Sequence, residues 1–170
     1  METRPGKAYP LGATFDGVGT NFAIYSSVAT SVTLVLLDDE LNEMLIPLTE
    51  VDAYVWHVYV PQVRAGQRYG YRIDGPWDPT NGLRCDPSKL LLDPYAKAIE
   101  GQLTDSMDLL SYRADNPLIL KGGNSAKATM HSVVVNPFFD WEGDCNPKHD
   151  YSESIIYEAH IKGMTMRHPE

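Results

Sequence analysis

The chain has 170 residues, with 14 Lys and Arg against 23 Asp and Glu, so its formal net charge is −9. Nucleic acids and anionic membrane surfaces are held mainly by Lys and Arg, so this acidic composition argues against both as partners. Hydrophobic residues make up 43% and charged residues 22%, which is ordinary globular usage and argues against intrinsic disorder.

Targeting and cofactor motifs are absent from the sequence. The first residues lack the apolar segment of a signal peptide, and no apolar stretch reaches the roughly 18 residues needed to span a membrane. Cys85 and Cys145 have no CxxC spacing, so neither a disulfide framework nor a zinc site is predicted. Gly17-Val18-Gly19 resembles part of a dinucleotide fingerprint, but a strand pattern follows where a helix is required. We therefore expect a cytoplasmic protein without a cofactor.

Apolar and polar residues alternate with a period of two across residues 13–73, and turn residues interrupt the alternation every several positions. This pattern predicts a mainly β protein, an antiparallel β-sandwich of six short strands. Tyr69, Tyr71 and Ile73 share one face of their strand, while the arginines between them share the other. The continuous apolar run at 31–37 predicts a strand buried on both faces. Five of the strands are delimited as 20–25, 31–37, 43–48, 54–60 and 67–73.

The pattern changes after residue 74, where prolines and glycines end the predicted sheet. Residues 121–127 are rich in glycine and small polar residues and predict a mobile loop. The valines at 133–135 predict another strand. A polar, linker-like stretch at 142–154 follows, and the apolar run at 155–161 predicts one more strand beyond it.

An acidic cluster near the end of the chain is the one candidate metal site. Asp140, Glu142, Asp144 and Asp150, with His149, could supply the oxygen ligands that a hard cation needs. The cluster lacks the loop pattern of an EF-hand, and a solvated linker explains it equally well. We therefore predict no metal site.

Aromatic residues are the one feature that suggests a ligand: ten Tyr, three Trp and four Phe, many of them in or beside predicted strands. Sugars present flat apolar faces ringed by hydroxyl groups, and aromatic platforms beside hydrogen-bonding groups suit them. A β-sandwich also needs aromatic residues in its core. Core packing and sugar stacking therefore both stay open for Trp56 and Trp77, and Trp141 is expected to pack between domains.

Six strings, taken in order, resemble the N-terminal part of bacterial glycogen debranching enzymes, the isoamylase-like branch of the α-amylase glycoside hydrolase superfamily. The similarity spans about residues 8–169. The strings are Pro10-Leu11-Gly12-Ala13, Gly17-Val18-Gly19-Thr20-Asn21-Phe22-Ala23, Gly70-Tyr71-Arg72-Ile73-Asp74-Gly75-Pro76-Trp77, Asp86-Pro87-Ser88-Lys89-Leu90-Leu91-Leu92-Asp93-Pro94-Tyr95-Ala96-Lys97-Ala98, Pro137-Phe138-Phe139-Asp140-Trp141 and Ile156-Tyr157-Glu158-Ala159-His160-Ile161-Lys162-Gly163-Met164-Thr165.

The resemblance implies a domain organisation. Residues 8–100 would form an immunoglobulin-like antiparallel β-sandwich, a carbohydrate-binding module of the glycogen-binding type, and residues 101–150 a connecting segment. Residues 151–170 would start a truncated (β/α)8 catalytic barrel and include its first strand. In the family the nucleophile Asp, the acid/base Glu and the supporting Asp lie on later barrel strands, so no catalytic residue is assigned here. The parent enzyme would hydrolyse α-1,6-glucosidic branch linkages in glycogen catabolism, with retention of configuration; this chain alone is expected to be inactive.

Two hypotheses follow for the sandwich. In the first it binds glycogen or malto-oligosaccharide, with stacking and hydrogen-bonding roles for Trp77, Trp56, Tyr54, Lys89, Arg84 and Asn21. In the second it is purely structural: it docks on the missing catalytic barrel and shapes it without binding glucan independently. Because a barrel strand without neighbours leaves apolar edges open, residues 152–166 are also expected to fray, to dock on the sandwich, or to pair with another copy in self-association.

Overall fold

The computed structural model describes residues 1–169, and within them it contains thirteen strands, all in the first of two structural units, Met1–Pro137. The strands are β1 (Gly12–Phe15), β2 (Gly19–Tyr25), β3 (Ser31–Leu37), β4 (Glu43–Pro47), β5 (Glu50–Asp52), β6 (Val55–Pro61), β7 (Arg68–Asp74), β8 (Trp77–Asp78), β9 (Leu83–Arg84), β10 (Ala98–Glu100), β11 (Tyr112–Arg113), β12 (Asn116–Leu120) and β13 (His131–Val133). Short 3-10 helices span Pro79–Asn81 and Met107–Leu109. The mainly β class is confirmed.

Nine of the strands form two antiparallel sheets. Sheet A has the order β1-β2-β6-β5, and sheet B has the order β10-β13-β7-β3-β4. The other four strands make two small hairpins, β8-β9 and β11-β12. Side chains from both large sheets enter one hydrophobic core, so the sheets form the predicted β-sandwich.

The core between the sheets follows the period-two pattern. Phe22 and Ile24 of β2 are buried in it, as are Tyr69, Tyr71 and Ile73 of β7. The Phe22 and Tyr69 rings meet edge to face with centroids 5.0 Å apart. Burying one large apolar side chain stabilises the fold by about 1.5–3 kcal/mol, so this alternation sets the register of each strand.

A second, smaller core lies outside sheet B. Val35 and Leu37 of β3 pack there with Leu90 and Ala126, so β3 is buried on both faces as predicted. The loop at 121–127, expected to be mobile, is tied down at this core: Ser125 is buried and its hydroxyl accepts a hydrogen bond from the Leu90 amide at 2.9 Å. These contacts argue against mobility, because the glycine content of a loop does not indicate which partners its residues find.

A hydrogen-bonded cluster joins the loop at 121–127 to the edge of sheet B. Arg72 of β7 and Glu43 of β4 form an ion pair, in which Arg72 donates three hydrogen bonds to the carboxylate at 2.7, 2.9 and 3.1 Å. The loop joins this pair through Asn124, whose amide donates to the same carboxylate at 2.7 Å. Burial raises the pKa of Glu43, but the bonds from Arg72 and Asn124 outweigh it and hold the pKa below its ordinary value. The stability that this carboxylate adds is therefore present above the ordinary pKa and is lost as pH falls through the lowered one.

Glu43→Gln is expected to lower the free energy of unfolding by about 1.5 kcal/mol at pH 7, because it weakens charge-assisted hydrogen bonds at a largely buried site. The difference from the unsubstituted chain should shrink as pH falls below the lowered pKa, where Glu43 is itself protonated. Urea unfolding at several pH values measures this. Glu40→Gln, at an exposed position, is the matched control and should change little; a pH-independent loss for Glu43→Gln would contradict the assignment.

The second unit begins at Phe138. Its described residues contain a 3-10 helix, Tyr151–Glu153, and helix α1, Ile161–Thr165. The strand predicted at 155–161 was wrong: residues 155–160 are irregular and α1 begins at Ile161. A strand forms by pairing its backbone, and residues 138–169 contain no strand for it to pair with. In the described chain no helix is long and apolar enough to cross a membrane.

Candidate functional site

One end of the sandwich gathers most of the aromatic residues singled out in the sequence. There β2 ends at Tyr25, β6 begins at Val55, and β7 ends at Asp74 before the chain enters the β8-β9 hairpin. Because antiparallel neighbours alternate in direction, these termini meet at the same end of the two sheets. Tyr54 and Trp56 flank the start of β6, and the hairpin that carries Trp77 and Arg84 follows the end of β7.

The β8-β9 hairpin places Trp77 opposite Arg84, its cross-strand neighbour. Trp77 is half-buried, and its Nε1 donates a hydrogen bond to the Leu118 carbonyl at 2.8 Å. The Arg84 guanidinium carbon lies 5.9 Å from the centroid of the Tyr112 ring, within cation–π range. We call Trp77, Arg84 and Tyr112 the Trp77 platform. The bond to Leu118 fixes the orientation of its indole.

The turn between β5 and β6 presents a second aromatic group. Tyr54 and Tyr25 meet edge to face with centroids 6.4 Å apart, and their exposed fractions are 60% and 53%. Ala53 and Tyr54 both adopt positive φ, 48° and 68°, which is uncommon for residues other than glycine and costs backbone energy. We call these two rings the Tyr25–Tyr54 pair. Glycine is the usual residue at such a positive φ, but this turn has a tyrosine there, and its side chain is exposed.

Trp56 packs mainly against the hydrophobic core. It is half-buried against the main core, and its Nε1 donates to the Ser26 carbonyl at 3.4 Å. Of the two roles left open for it, core packing is the one that its surroundings favour.

Lys89 and Asn21 both have partners for their polar groups within the protein. Lys89 is 3% exposed, and its Nζ donates to the carbonyls of Asp108, Gly122 and Gly123 at 2.8, 2.8 and 2.7 Å. Desolvation by burial lowers the pKa of this ammonium. Asn21 uses its side-chain amide to bind both backbone groups of Lys7. In this structure Lys89 has no donor left for a sugar hydroxyl.

Two residues of this end were not singled out in the sequence. Tyr25 continues the alternation of β2 on the face opposite Phe22 and Ile24, so the period-two pattern alone could have indicated its exposure. Tyr112 lies in the β11-β12 hairpin, within a stretch whose polar and irregular sequence gave no signal for it.

The acidic residues at 140–150 form no metal centre in the part of the chain that the structure describes. Across residues 1–169 no group of three or more His, Cys, Asp or Glu side chains is close enough to hold a metal ion. Trp141, which we expected to pack between domains, is 64% exposed and meets Phe139 edge to face with centroids 4.8 Å apart.

The two sheets and the single core between them define a two-sheet antiparallel β-module. The sequence model of carbohydrate-binding module 48 (isoamylase N-terminal domain) matches residues 10–96, and the chain belongs to this family. This membership confirms the resemblance found in the sequence.

Similar proteins include the glycogen operon protein GlgX homolog of Mycobacterium tuberculosis, which is 53% identical over 172 residues, covering 97% of this chain and 23% of that protein. The glycogen debranching enzyme of Serratia proteamaculans is 45% identical over 169 residues, covering 99% of this chain and 25% of that enzyme. Among solved structures, the Group B Streptococcus pullulanase SAP in complex with maltotetraose matches 77% of this chain and 15% of its own, with 22% identity and a TM-score of 0.49. The chain spans about a quarter of the length of these curated relatives.

Proposed function

We propose that this chain is the N-terminal glucan-binding module of a glycogen debranching enzyme, with residues 8–100 at its centre. The observation that carries the proposal is the group of aromatic rings and one guanidinium at a single end of the sandwich. Membership of a carbohydrate-binding family and the similarity to a glycogen debranching enzyme support it. The hydrolysis of α-1,6-glucosidic branch linkages would belong to the part of such an enzyme that follows residue 151, and residues 1–170 alone are expected to hydrolyse nothing.

The proposed contact surface consists of the Trp77 platform and the Tyr25–Tyr54 pair. Aromatic faces stack on the C–H faces of glucose rings, and each such contact gains from burying apolar area on both partners. Arg84 adds donors for sugar hydroxyls, and its position over Tyr112 limits the rotamer freedom it loses on binding. Lys89, Asn21 and Trp56 are outside this surface in our proposal because their polar groups are already bonded within the fold.

Trp77→Ala is expected to weaken binding of maltoheptaose about tenfold, since losing one stacking ring costs roughly 1.4 kcal/mol of binding free energy. Calorimetric titration of the whole chain measures this, with NMR to follow the indole groups. Trp141→Ala removes an equally large ring from the second unit and should leave affinity unchanged. Equal losses in both variants, or none in either, would contradict the proposed surface.

A structural role is the second candidate, in which the module docks on the remainder of a longer protein. Its support is a run of exposed apolar side chains in and before β10, namely Leu91, Leu92, Tyr95 and Ile99. On a monomer, apolar groups that form one contiguous patch often mark a contact with another protein surface. A folded chain that fails to bind maltoheptaose at millimolar concentration would favour this role over glucan binding.

A separate proposal is that residues 152–166 mediate self-association of the chain. Ile155, Ile156, Tyr157 and Ile161 are all largely exposed in the second unit. If they mediate contacts between copies, deleting residues 150–170 should convert a concentration-dependent dimer into a monomer, as measured by analytical ultracentrifugation. If the deletion left the distribution of monomer and dimer unchanged, self-association through these residues would be contradicted.

A further inference from the structure

The outer face of sheet A is crossed by residues 4–10, which we call the strap. Arg4 exchanges two backbone hydrogen bonds with Tyr59 of β6, both 2.9 Å. Further along, Asn21 of β2 accepts from the Lys7 amide at 2.7 Å and donates to the Lys7 carbonyl at 2.9 Å. The strap is therefore fastened to two neighbouring strands by bonds that imitate strand pairing.

A cleft of about 470 Å³ lies between the strap and residues of β1, β2 and β6. This volume is within the range of small-molecule sites. Flat apolar surfaces make up much of its wall, contributed by Tyr9, Tyr59, Pro5 and Pro10. Tyr9 is 81% exposed and its ring is open to a ligand.

Asp16 supplies the polar side of the cleft. Its Oδ1 accepts hydrogen bonds from the amides of Val18 and Gly19, each at 2.9 Å, and the Tyr59 hydroxyl donates to Oδ2 at 3.0 Å. The Gly19 and Val18 amides hold the pKa of this carboxyl below its ordinary value, so it is ionised at neutral pH. A carboxylate accepts about four hydrogen bonds, so Oδ2 keeps one lone pair for a ligand hydroxyl.

The charges around the cleft point to a neutral ligand. Arg4 and Lys7 are positive and Asp16 is negative, and the Arg4 guanidinium is already paired with Glu2 at 3.0 Å. A phosphate-like anion would meet the Asp16 carboxylate, and one carboxylate is too few for a hard cation. Flat rings beside a strong hydrogen-bond acceptor suit a neutral molecule with apolar faces and hydroxyl edges.

We propose that the strap cleft is a second carbohydrate site, which takes one or two neutral sugar rings with Tyr9 as the stacking platform and Asp16 as the hydroxyl acceptor. The site is separate from the Trp77 platform, but the class of its ligand rests on the proposed glucan-binding function. It also accounts for Asn21, which the sequence singled out for sugar binding: in the cleft Asn21 positions the strap through Lys7.

The test is an NMR titration of the whole chain with maltotriose, following the Lys7 amide and the Asn21 side chain in the strap and the Trp77 indole at the other site. Saturable shifts are expected at both places. Tyr9→Ala should weaken the strap response at least fivefold and leave the Trp77 response unchanged. Tyr157→Ala is the matched control, because Tyr157 is also 81% exposed and lies in the second unit.

Asp16→Asn is a second variant, which keeps an oxygen for the Val18 and Gly19 amides and removes the charge; it should weaken the strap response as well. Shifts confined to Trp77 would overturn the second site and leave the proposed function standing. Shifts confined to the strap would support the second site and contradict a role of the Trp77 platform in glucan binding. No shift at either place at millimolar maltotriose would overturn both, and an equal effect of Tyr157→Ala would overturn the role of Tyr9.

Discussion

Lys89→Met is expected to lower the free energy of unfolding by about 3 kcal/mol. The substitution removes the group that bonds the carbonyls of Asp108, Gly122 and Gly123, and it leaves the buried Asp86 carboxylate without the ammonium 3.9 Å away. Breaking a buried ion pair on one side costs roughly 3–5 kcal/mol, because the remaining charge stays desolvated. Methionine keeps most of the side-chain volume, so the loss reports polar contacts.

Urea unfolding followed by circular dichroism measures the change, with hydrogen exchange at Ser125 and Ala126 as a local readout. Lys127→Met makes the same substitution at an exposed position of the loop that Lys89 contacts, and it should change stability by less than about 0.5 kcal/mol. If Lys89→Met matched Lys127→Met, the buried ammonium would not be what fastens this loop.

Gly6→Ala is expected to lift the strap from sheet A and to cost about 2 kcal/mol of unfolding free energy. A Cβ at this position would lie 2.7 Å from the Val58 carbonyl carbon and 2.9 Å from the Val58 nitrogen. Both are backbone atoms of β6 that cannot move aside without disturbing the sheet, and overpacking of this kind costs about 1–3 kcal/mol. The strap must then shift, which weakens the bonds between Asn21 and Lys7.

Gly163→Ala is the matched control, since an added Cβ there meets nothing closer than 3.7 Å and alanine favours the helix in which it lies. Thermal unfolding gives the stability change, and the Asn21 side-chain amide resonances report whether the strap has moved. Wild-type stability and unchanged Asn21 resonances in Gly6→Ala would show that the strap tolerates the methyl group, contrary to our expectation.

The alternation of side chains predicted the centre of this fold. The strand predicted at 31–37 coincides with β3, and Tyr69, Tyr71 and Ile73 all face the core. These residues could be placed because burial on one face imposes a period that a short window of sequence records. The prediction at 54–60 is displaced by one residue from β6, since a turn with positive φ occupies Tyr54.

Contacts between distant segments could not be predicted in the same way. Nothing near Lys89 in the sequence indicates that the carbonyls around its ammonium come from residues 108, 122 and 123. A lysine has an apolar stem whether it lies in a core or on a surface, so its residue type does not predict its burial. The run at 155–161 failed for the opposite reason: its apolar residues suit a strand, but pairing depends on a neighbour. At the candidate surface the sequence indicated Trp77 and Arg84, and only the hairpin β11-β12 brings Tyr112 beside them.

The position of β13 bears on how this module could be transplanted. The family match ends at residue 96, yet β13 begins at His131 and lies between β10 and β7 in sheet B. A graft cut at the end of the match would lack both β10 and β13 of sheet B, and the unpaired backbone at the start of β7 would recruit strands from other chains. A module that is to be moved to another protein therefore has to include residues 101–130, which connect β10 to β13.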